Sequence, residues 1–402
     1  MTVPGCGLDL AEPAFVANPY PALAELRARA PVQWHEASRR WLTFSHGTAD
    51  EVLRHRRLGR LWADRTPLDR FEPFNVLHRH QMMENEPPEH GRLRRLVAAA
   101  FSRGHVERLR PRVAALADGL LGRVDPAGFD LVVDYAEPLP VAVIAELLGV
   151  PEVDRPLLRP WSQAIVAMYE ASPSEPTTVQ AIAASRDFAT YVRGLVLERR
   201  AVPGPDLISD LVAAQDGPAR LSEDEVVASA ILLLNAGHEA SVNAFGNGAV
   251  AVLGQPALAA SMAARPDLVP GAVEELLRFD APLQLFERTA MADVVIGDVT
   301  VRAGERAVAL LGAANRDPTV FERPDQLVLD RDPNPHLGFG VGLHFCLGAP
   351  LARMELAIAW QVLLDRFPRL ALTAEPVRRP GFVLRGYASV PVASVRPERA
   401  PG

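Results

Sequence analysis

The chain has 402 residues, of which 49% are hydrophobic and 23% charged; this suits a large globular core and excludes a disordered chain. A formal net charge of −7 argues against a dominant nucleic-acid or anionic-membrane surface. All 42 basic residues are arginine, so chemistry that needs a lysine Schiff base or a phosphate-binding lysine is excluded.

Residues 1–10 lack the basic and apolar stretches of a secretion signal, and no apolar run approaches a membrane span; a cytoplasmic location without a membrane anchor is expected. Asn18-Pro19-Tyr20-Pro21 opens a helix that continues through Arg27. Residues 32–34 and 41–44 read as a β-hairpin, followed by a short helix that closes near His55. Residues 61–80 mix aromatics and prolines without a clean period, which predicts a long loop with one helical turn. Helical periodicity returns over 88–121 and over 131–148, where Pro138 and Pro140 fall near the centre. Two helices are expected over 154–201, on either side of a polar break at 172–178.

The clearest element starts at Ser222, which has capping-box spacing to Glu225. Val226, Ile231, Leu234, Val242 and Phe245 carry a helical period to about Leu253, roughly 45 Å at about 1.5 Å per residue. Its centre, Asn235-Ala236-Gly237-His238-Glu239-Ala240-Ser241, is unusually polar for an apolar helix. Local exposure, a kink against a neighbour, or an interruption where the helix lines a pocket would each account for it. Further on, Glu275 and Arg278 share a helical face at i, i+3. Residues 294–311 alternate with period 2 around an Ala303-Gly304 turn. The expected fold is mainly α with minor β, the β-rich parts lying near 30–45, 290–312 and 380–395 of a single domain over 1–402.

Two cysteines, Cys6 and Cys346, cannot supply a disulfide framework or a cysteine-rich zinc or iron–sulfur site. Cys346 stands in Phe339-Gly340-Val341-Gly342-Leu343-His344-Phe345-Cys346-Leu347-Gly348, bracketed by glycines that allow close backbone approach. Helical periodicity resumes directly afterwards, so the thiol lies near a helix N-terminus, where a thiolate is favoured. A lone thiolate beside Phe345 and Leu347 suits a metal whose other ligands come from a macrocycle, and haem iron with one axial thiolate meets that description. A buried structural cysteine in a glycine-rich turn is the competing account.

The same segment resembles the haem-binding loop of the cytochrome P450 family, matching Phe-Gly-x-Gly-x-His-x-Cys-x-Gly at every named position. Further family signatures follow the expected order. Glu275-Leu276-Leu277-Arg278 resembles the Glu-x-x-Arg helix, and His90 with Arg94 resembles the haem-flanking helix. Asn315-Arg316-Asp317-Pro318 and residues 321–331 resemble the meander, and Ala236-Gly237-His238-Glu239 the distal helix of bacterial members. The resemblance implies haem b with Cys346 as axial thiolate, dioxygen as co-substrate, and His90, Arg94, Arg288 and His344 toward the haem propionates. It implies a structural network of Glu275, Arg278 and Arg331. It also implies a soluble monomer that receives electrons from a ferredoxin and an NAD(P)H-dependent ferredoxin reductase.

One position departs from the family. Members usually place a threonine after the acidic residue of the distal helix, whereas here the order is Glu239-Ala240-Ser241. Alanine has no side-chain donor or acceptor for a proton relay, and Ser241 points about 100° away along the helix. A substrate hydroxyl or ordered water completing the relay is the favoured account; oxidative coupling and uncoupled turnover are the others. The resemblance places the pocket wall at Trp62, Phe71 and Phe74, at Leu232, Leu233, Asn235 and Ala236, at Leu283, Leu285 and Phe286, and at Val383 and Leu384. Such a wall suits hydroxylation or epoxidation of a mid-sized apolar molecule such as a polyketide, terpenoid, steroid or aromatic metabolite. Peroxide-driven chemistry and a non-turnover haem sensor are the alternatives of other classes.

Overall fold

Alternation along the strand Arg306–Leu310 organises the β-rich part of the molecule. Ala307 and Ala309 enter a core with Val32, Val52, Leu53 and Ile296, while Val308 and Leu310 enter a second core with Phe15, Leu42, Phe44 and Phe382. Period-2 geometry makes this division inevitable once both sheet faces are covered. The strand pairs in parallel with Arg40–Thr43 and antiparallel with Leu285–Ala290, in the register Leu285↔Leu310 and Arg288↔Ala307. Val32–His35 and Arg40–Thr43 form the expected hairpin, and a small ribbon of Val294–Ile296 and Val299–Val301 turns at Gly297.

The computed structural model describes residues 5–98, 103–170, 173–213 and 221–395. By their internal contacts these form two units. The first comprises the described residues of Met1–Leu58, Arg108–Leu139 and Ala240–Gly402; the second comprises those of Gly59–Glu107 and Pro140–Glu239. The first holds the sheet just described and the helices Val269–Phe279 and Ala349–Arg366, which pack together. The second is helical. Arg155–Val166 and Leu68–Arg79 both pack on Glu175–Ala201, with Trp161 stacked on Phe188 at 5.2 Å. Among the described residues no helix is long and apolar enough to cross a membrane.

Three expectations need correction. Residues 61–80 are not mainly loop: Leu68–Arg79 is a 12-residue helix. Its buried positions Phe71, Phe74, Leu77 and His78 do follow a helical period, but Pro73 inside the helix and the poor helix formers around it obscure the pattern. Tertiary burial overrides that weak propensity. Over 131–148, a π-helical turn at Val132–Ala136 precedes a helix that starts at Pro138, so both prolines occupy its first turn and not its centre. The long helix is continuous over Glu223–Leu253, and its polar centre is neither interrupted nor generally exposed. Asn235, His238, Glu239 and Ser241 are all buried. At its start the capping box forms reciprocally, with Ser222 N–H donating to Glu225 (2.7 Å) and Glu225 N–H to the Ser222 hydroxyl (3.2 Å).

Candidate active site

The cysteine loop is closed by its own backbone. The Cys346 N–H donates to the Phe339 carbonyl (3.0 Å) and the Phe345 N–H to that of Gly342 (3.1 Å). Gly342 has a φ of +74°, and a β-carbon there would stand 2.8 Å from the Leu53 carbonyl oxygen. Only glycine lets this turn press so closely on the helix His46–Arg54. Cys346 is partly exposed and in no disulfide, three residues before the 18-residue helix Ala349–Arg366. The positive end of that helix's dipole favours a thiolate.

The strand Leu285–Ala290 approaches the same loop. Its Phe286 ring lies 3.4 Å from where a β-carbon on Gly340 would stand. Two residues on, Arg288 is buried, donates to the Glu287 carbonyl (2.9 Å) and carries its guanidinium 5.9 Å from the Phe286 ring centre. His344 is half-buried in the 3-10 turn Gly342–His344. The first unit therefore contains Cys346, His344 and Arg288 on two adjoining elements.

Glu275, Arg278 and Arg331 share one hydrogen-bonded group. Glu275 and Arg278 are wholly buried. Arg278 donates twice to the Glu275 carboxylate, at 2.7 and 2.8 Å, and Arg331 adds a third bond at 2.9 Å. The Val328 N–H and the Asn334 amide also donate to that carboxylate, at 2.9 and 3.2 Å. Arg278 spends its other N–H groups on the carbonyls of Asn315, Pro324 and Gln326.

A second charged group beside the loop has no linear signature. Arg353 donates to both oxygens of Glu274, at 2.7 and 2.8 Å, and lies over the Phe339 ring at 4.5 Å. His336 reaches the same carboxylate at 3.1 Å. Burial works against ionisation of Glu274, but the bonds from His336 and Arg353 outweigh it and hold the carboxyl down to about 2. Arg353 is held above its ordinary range, chiefly by Glu274 and further by the charge of Cys346. These partners stand 62 and 79 residues apart in the chain, so no spacing rule could have found them.

In the second unit, His90 is buried and Arg94 half-buried, one turn apart on the helix Glu89–Ala98. Arg92 of that helix pairs with Glu225 at the start of the long helix. From Val226 to Ala249 every residue of the long helix is buried except Ala236, Gly237 and Ala240, which share one face. Three small residues thus leave a single open face on an otherwise enclosed helix. Glu239 and Ser241 lie off that face and are buried. Leu232 and Leu233 are buried a turn earlier, and the Asn235 Oδ1 is buried without a hydrogen-bond partner among the described residues.

Trp62 and Phe74 engage a residue the sequence did not single out. The His78 ring stacks against both Trp62 (4.4 Å) and Phe74 (4.2 Å), which also contact each other at 6.1 Å. His78 Nδ1 faces the Phe74 carbonyl at 2.8 Å and so carries the proton, which leaves Nε2 to accept from the Tyr169 hydroxyl at 3.2 Å. Burial depresses the His78 pKa to about 4. Phe71 is buried on the same helix. In the first unit, Leu283 and Leu384 form an antiparallel bridge, and Leu283, Phe286, Val383 and Leu384 are only partly buried.

Among the described residues no group of three or more His, Cys, Asp or Glu side chains could hold a metal ion. A lone cysteine on a glycine loop fits a metal that arrives already chelated by a flat prosthetic group. Within the first unit, Arg288 and His344 are suited to the carboxylates of such a group.

Glu355, in the helix that follows Cys346, is buried, and among the described residues no ion pair offsets that burial, which pushes its carboxyl up to about 8. The folded state keeps a proton that the unfolded state releases near pH 4.5, so stability falls as pH rises through about 4.5 to 8, at up to roughly 1.4 kcal/mol per pH unit. Glu355→Gln should remove this slope. Thermal unfolding of both proteins from pH 5 to pH 9 checks it, and parallel curves would refute it.

Comparison with known proteins bears on the whole chain. The family model described as Cytochrome P450 matches residues 251–381. Cytochrome P450 monooxygenase PikC of Streptomyces venezuelae is 40% identical over 390 residues, 94% of this chain and 91% of that protein. Vitamin D(3) 25-hydroxylase of Pseudonocardia autotrophica is 39% identical over 392 residues, 96% of each chain. Among solved structures, P450BioI in complex with hexadec-9Z-enoic acid ligated acyl carrier protein matches with a TM-score of 0.91 at 33% identity, covering 95% of this chain and 100% of that one.

Proposed function

Because this chain belongs to the cytochrome P450 family, we propose that it is a monooxygenase holding haem b through Cys346 and hydroxylating or epoxidising a mid-sized apolar metabolite. The observation that carries this is the partly exposed cysteine on a glycine-closed loop at the head of the helix Ala349–Arg366. Bound haem with a thiolate ligand supplies dioxygen activation.

The chain's own residues bind, orient and exclude water. The backbone bond from Cys346 to Phe339 and the Arg353 guanidinium over the Phe339 ring stabilise the loop that presents the thiolate. Arg288 and His344 bind the propionates from the first unit, and His90 and Arg94 have the same role on the helix Glu89–Ala98. Leu283, Phe286 and Leu384 supply apolar wall and keep the pocket dry, whereas Leu285 and Val383, expected in that wall, turn to the core of Phe15 and Phe382 on the other face of the sheet. The vitamin D(3) hydroxylase, whose named substrate is a bulky apolar molecule, supports that substrate class. Electrons come from a ferredoxin and its NAD(P)H-dependent reductase. The test is the spectrum of the reduced protein under carbon monoxide: a long-wavelength Soret band is expected, and a protein that takes up no haem would overturn the reading.

Ala240 lies on the open face of the long helix, where no hydroxyl can hold water, while Ser241 is buried one residue on. We infer that a substrate hydroxyl or an ordered water completes proton delivery, with the Asn235 Oδ1 as an acceptor one turn before Glu239. Ala240→Thr should change the product formed per reduced cofactor consumed severalfold. An unchanged ratio would remove this position from the mechanism.

A further inference from the structure

Arg385 makes contacts that no part of the proposed reaction uses. It is 2% exposed. Its Nε donates to the Asp280 carboxylate at 2.7 Å, and its two terminal nitrogens donate to the carbonyls of Val16 and Ala17, the latter at 3.0 Å. Those carbonyls end the five-residue helix Pro13–Ala17, which has no intrahelical donor for them. Asp280 receives a second bond from the Tyr20 hydroxyl at 2.5 Å. The backbone carbonyls of both Asp280 and Arg385 accept from the Asn247 amide, at 3.1 and 3.0 Å.

The pair stands at the root of two segments joined along their backbones. The Arg385 N–H donates to the Pro282 carbonyl at 2.8 Å, and the Gln284 N–H donates to that of Val383 at 3.0 Å. Between them lies the Leu283–Leu384 bridge. Asp280 therefore anchors one segment two residues before its first cross-bond, and Arg385 anchors the other at that bond. On the far side, Phe382 packs on Phe15 at 4.9 Å. Glycine is required next to the pair, because a β-carbon on Gly386 would stand 2.0 Å from the Asn243 side-chain oxygen.

We propose that the Arg385–Asp280 pair positions the apolar wall formed by Leu283 and Leu384, and so sets which bulky ligands the pocket accepts. The proposal rests on the functional reading given above, in which these two side chains face the substrate. The pair acts through the backbone: it touches neither ligand nor metal, and it holds the two strand-like segments in one register against the Pro13–Ala17 helix. A guanidinium is suited to this, since its fixed fork serves one carboxylate and two carbonyls at once.

The test uses the haem-loaded protein and two iron-binding ligands, followed by their absorption shifts. Imidazole needs little more than the iron, whereas econazole also needs the wall. Arg385→Gln and Asp280→Asn should each keep the carbon monoxide band and an imidazole Kd within about twofold, while the econazole Kd rises about tenfold. The double variant should be no worse than either single one. Arg385→Lys should recover little, because an ammonium cannot reproduce the fork. Unchanged econazole affinity alongside normal imidazole binding would overturn the proposal. Loss of haem and imidazole binding by the parent protein would instead refute the functional reading. Should both variants misfold, Tyr20→Phe removes one bond to Asp280 and should weaken econazole alone by about threefold; equal weakening of both ligands would refute the positioning role.

Discussion

Replacing Cys346 by alanine should abolish the long-wavelength Soret band of the reduced, carbon monoxide-bound protein, while Cys6→Ala should leave it unchanged. The two thiols have different surroundings. Cys6 is buried in the core with Phe15, Val16 and Leu42, and burial raises its pKa above the ordinary thiol range. It is a small apolar side chain in its context. Cys346 is partly exposed, on a loop pinned by the left-handed Gly340 and Gly342. The bonds that close that loop run between backbone atoms and survive the substitution. The variant should therefore fold, with far-ultraviolet circular dichroism like the parent's, and lose only the thiolate. A His substitution should move the band to the shorter wavelength of a nitrogen-ligated haem. Persistence of the original band in Cys346→Ala would make another group the ligand and refute the assignment.

Arg278→Ala should cost about 3–5 kcal/mol of stability, since it leaves a buried carboxylate without its main counter-charge. The loss goes beyond one ion pair. Arg278 also satisfies three carbonyls, of Asn315, Pro324 and Gln326, that have been drawn away from water. Arg331 remains as a counter-charge to Glu275 through one bond, but its other N–H groups are already committed to the carbonyls of Glu322, Arg323 and Gln326. Arg278→Lys should recover little, because one ammonium cannot bridge both carboxylate oxygens and reach the carbonyls. Glu275→Gln should be comparably damaging, leaving two buried guanidinium groups against a neutral amide. Chemical denaturation followed by circular dichroism checks these values. A loss below about 1 kcal/mol would place the triad with surface ion pairs.

The elements of the candidate site that were legible in the sequence carry local signals. A glycine-flanked cysteine, a capping box and an i, i+3 ion pair each arise within a few residues, where spacing converts directly into geometry. Ser222 and Glu225 cap the long helix as their spacing requires. Glu275 and Arg278 pair as theirs does, and Arg331, 56 residues on from Glu275, donates to the same carboxylate. The departure at Ala240 is likewise a property of the linear pattern.

What the linear pattern left open is decided by partners far along the chain. The helix Leu68–Arg79 is poor by propensity and exists because Phe71, Phe74 and Leu77 find a surface to cover. His78 was an unremarked histidine until Trp62 and Tyr169 enclosed it. Tyr20 and Asp280 are 260 residues apart, and Arg385 and Asp280 are 105 apart. Arg353 and Glu274 meet across 79 residues. The family, the mainly helical class and the candidate thiolate follow from local order, since helix periodicity, caps and glycine turns are short-range effects. The charged groups that hold the loop and the apolar wall follow from packing. A buried arginine accepts whatever carboxylates and carbonyls the folded chain brings within about 3 Å, and no rule of spacing along the sequence specifies which those will be.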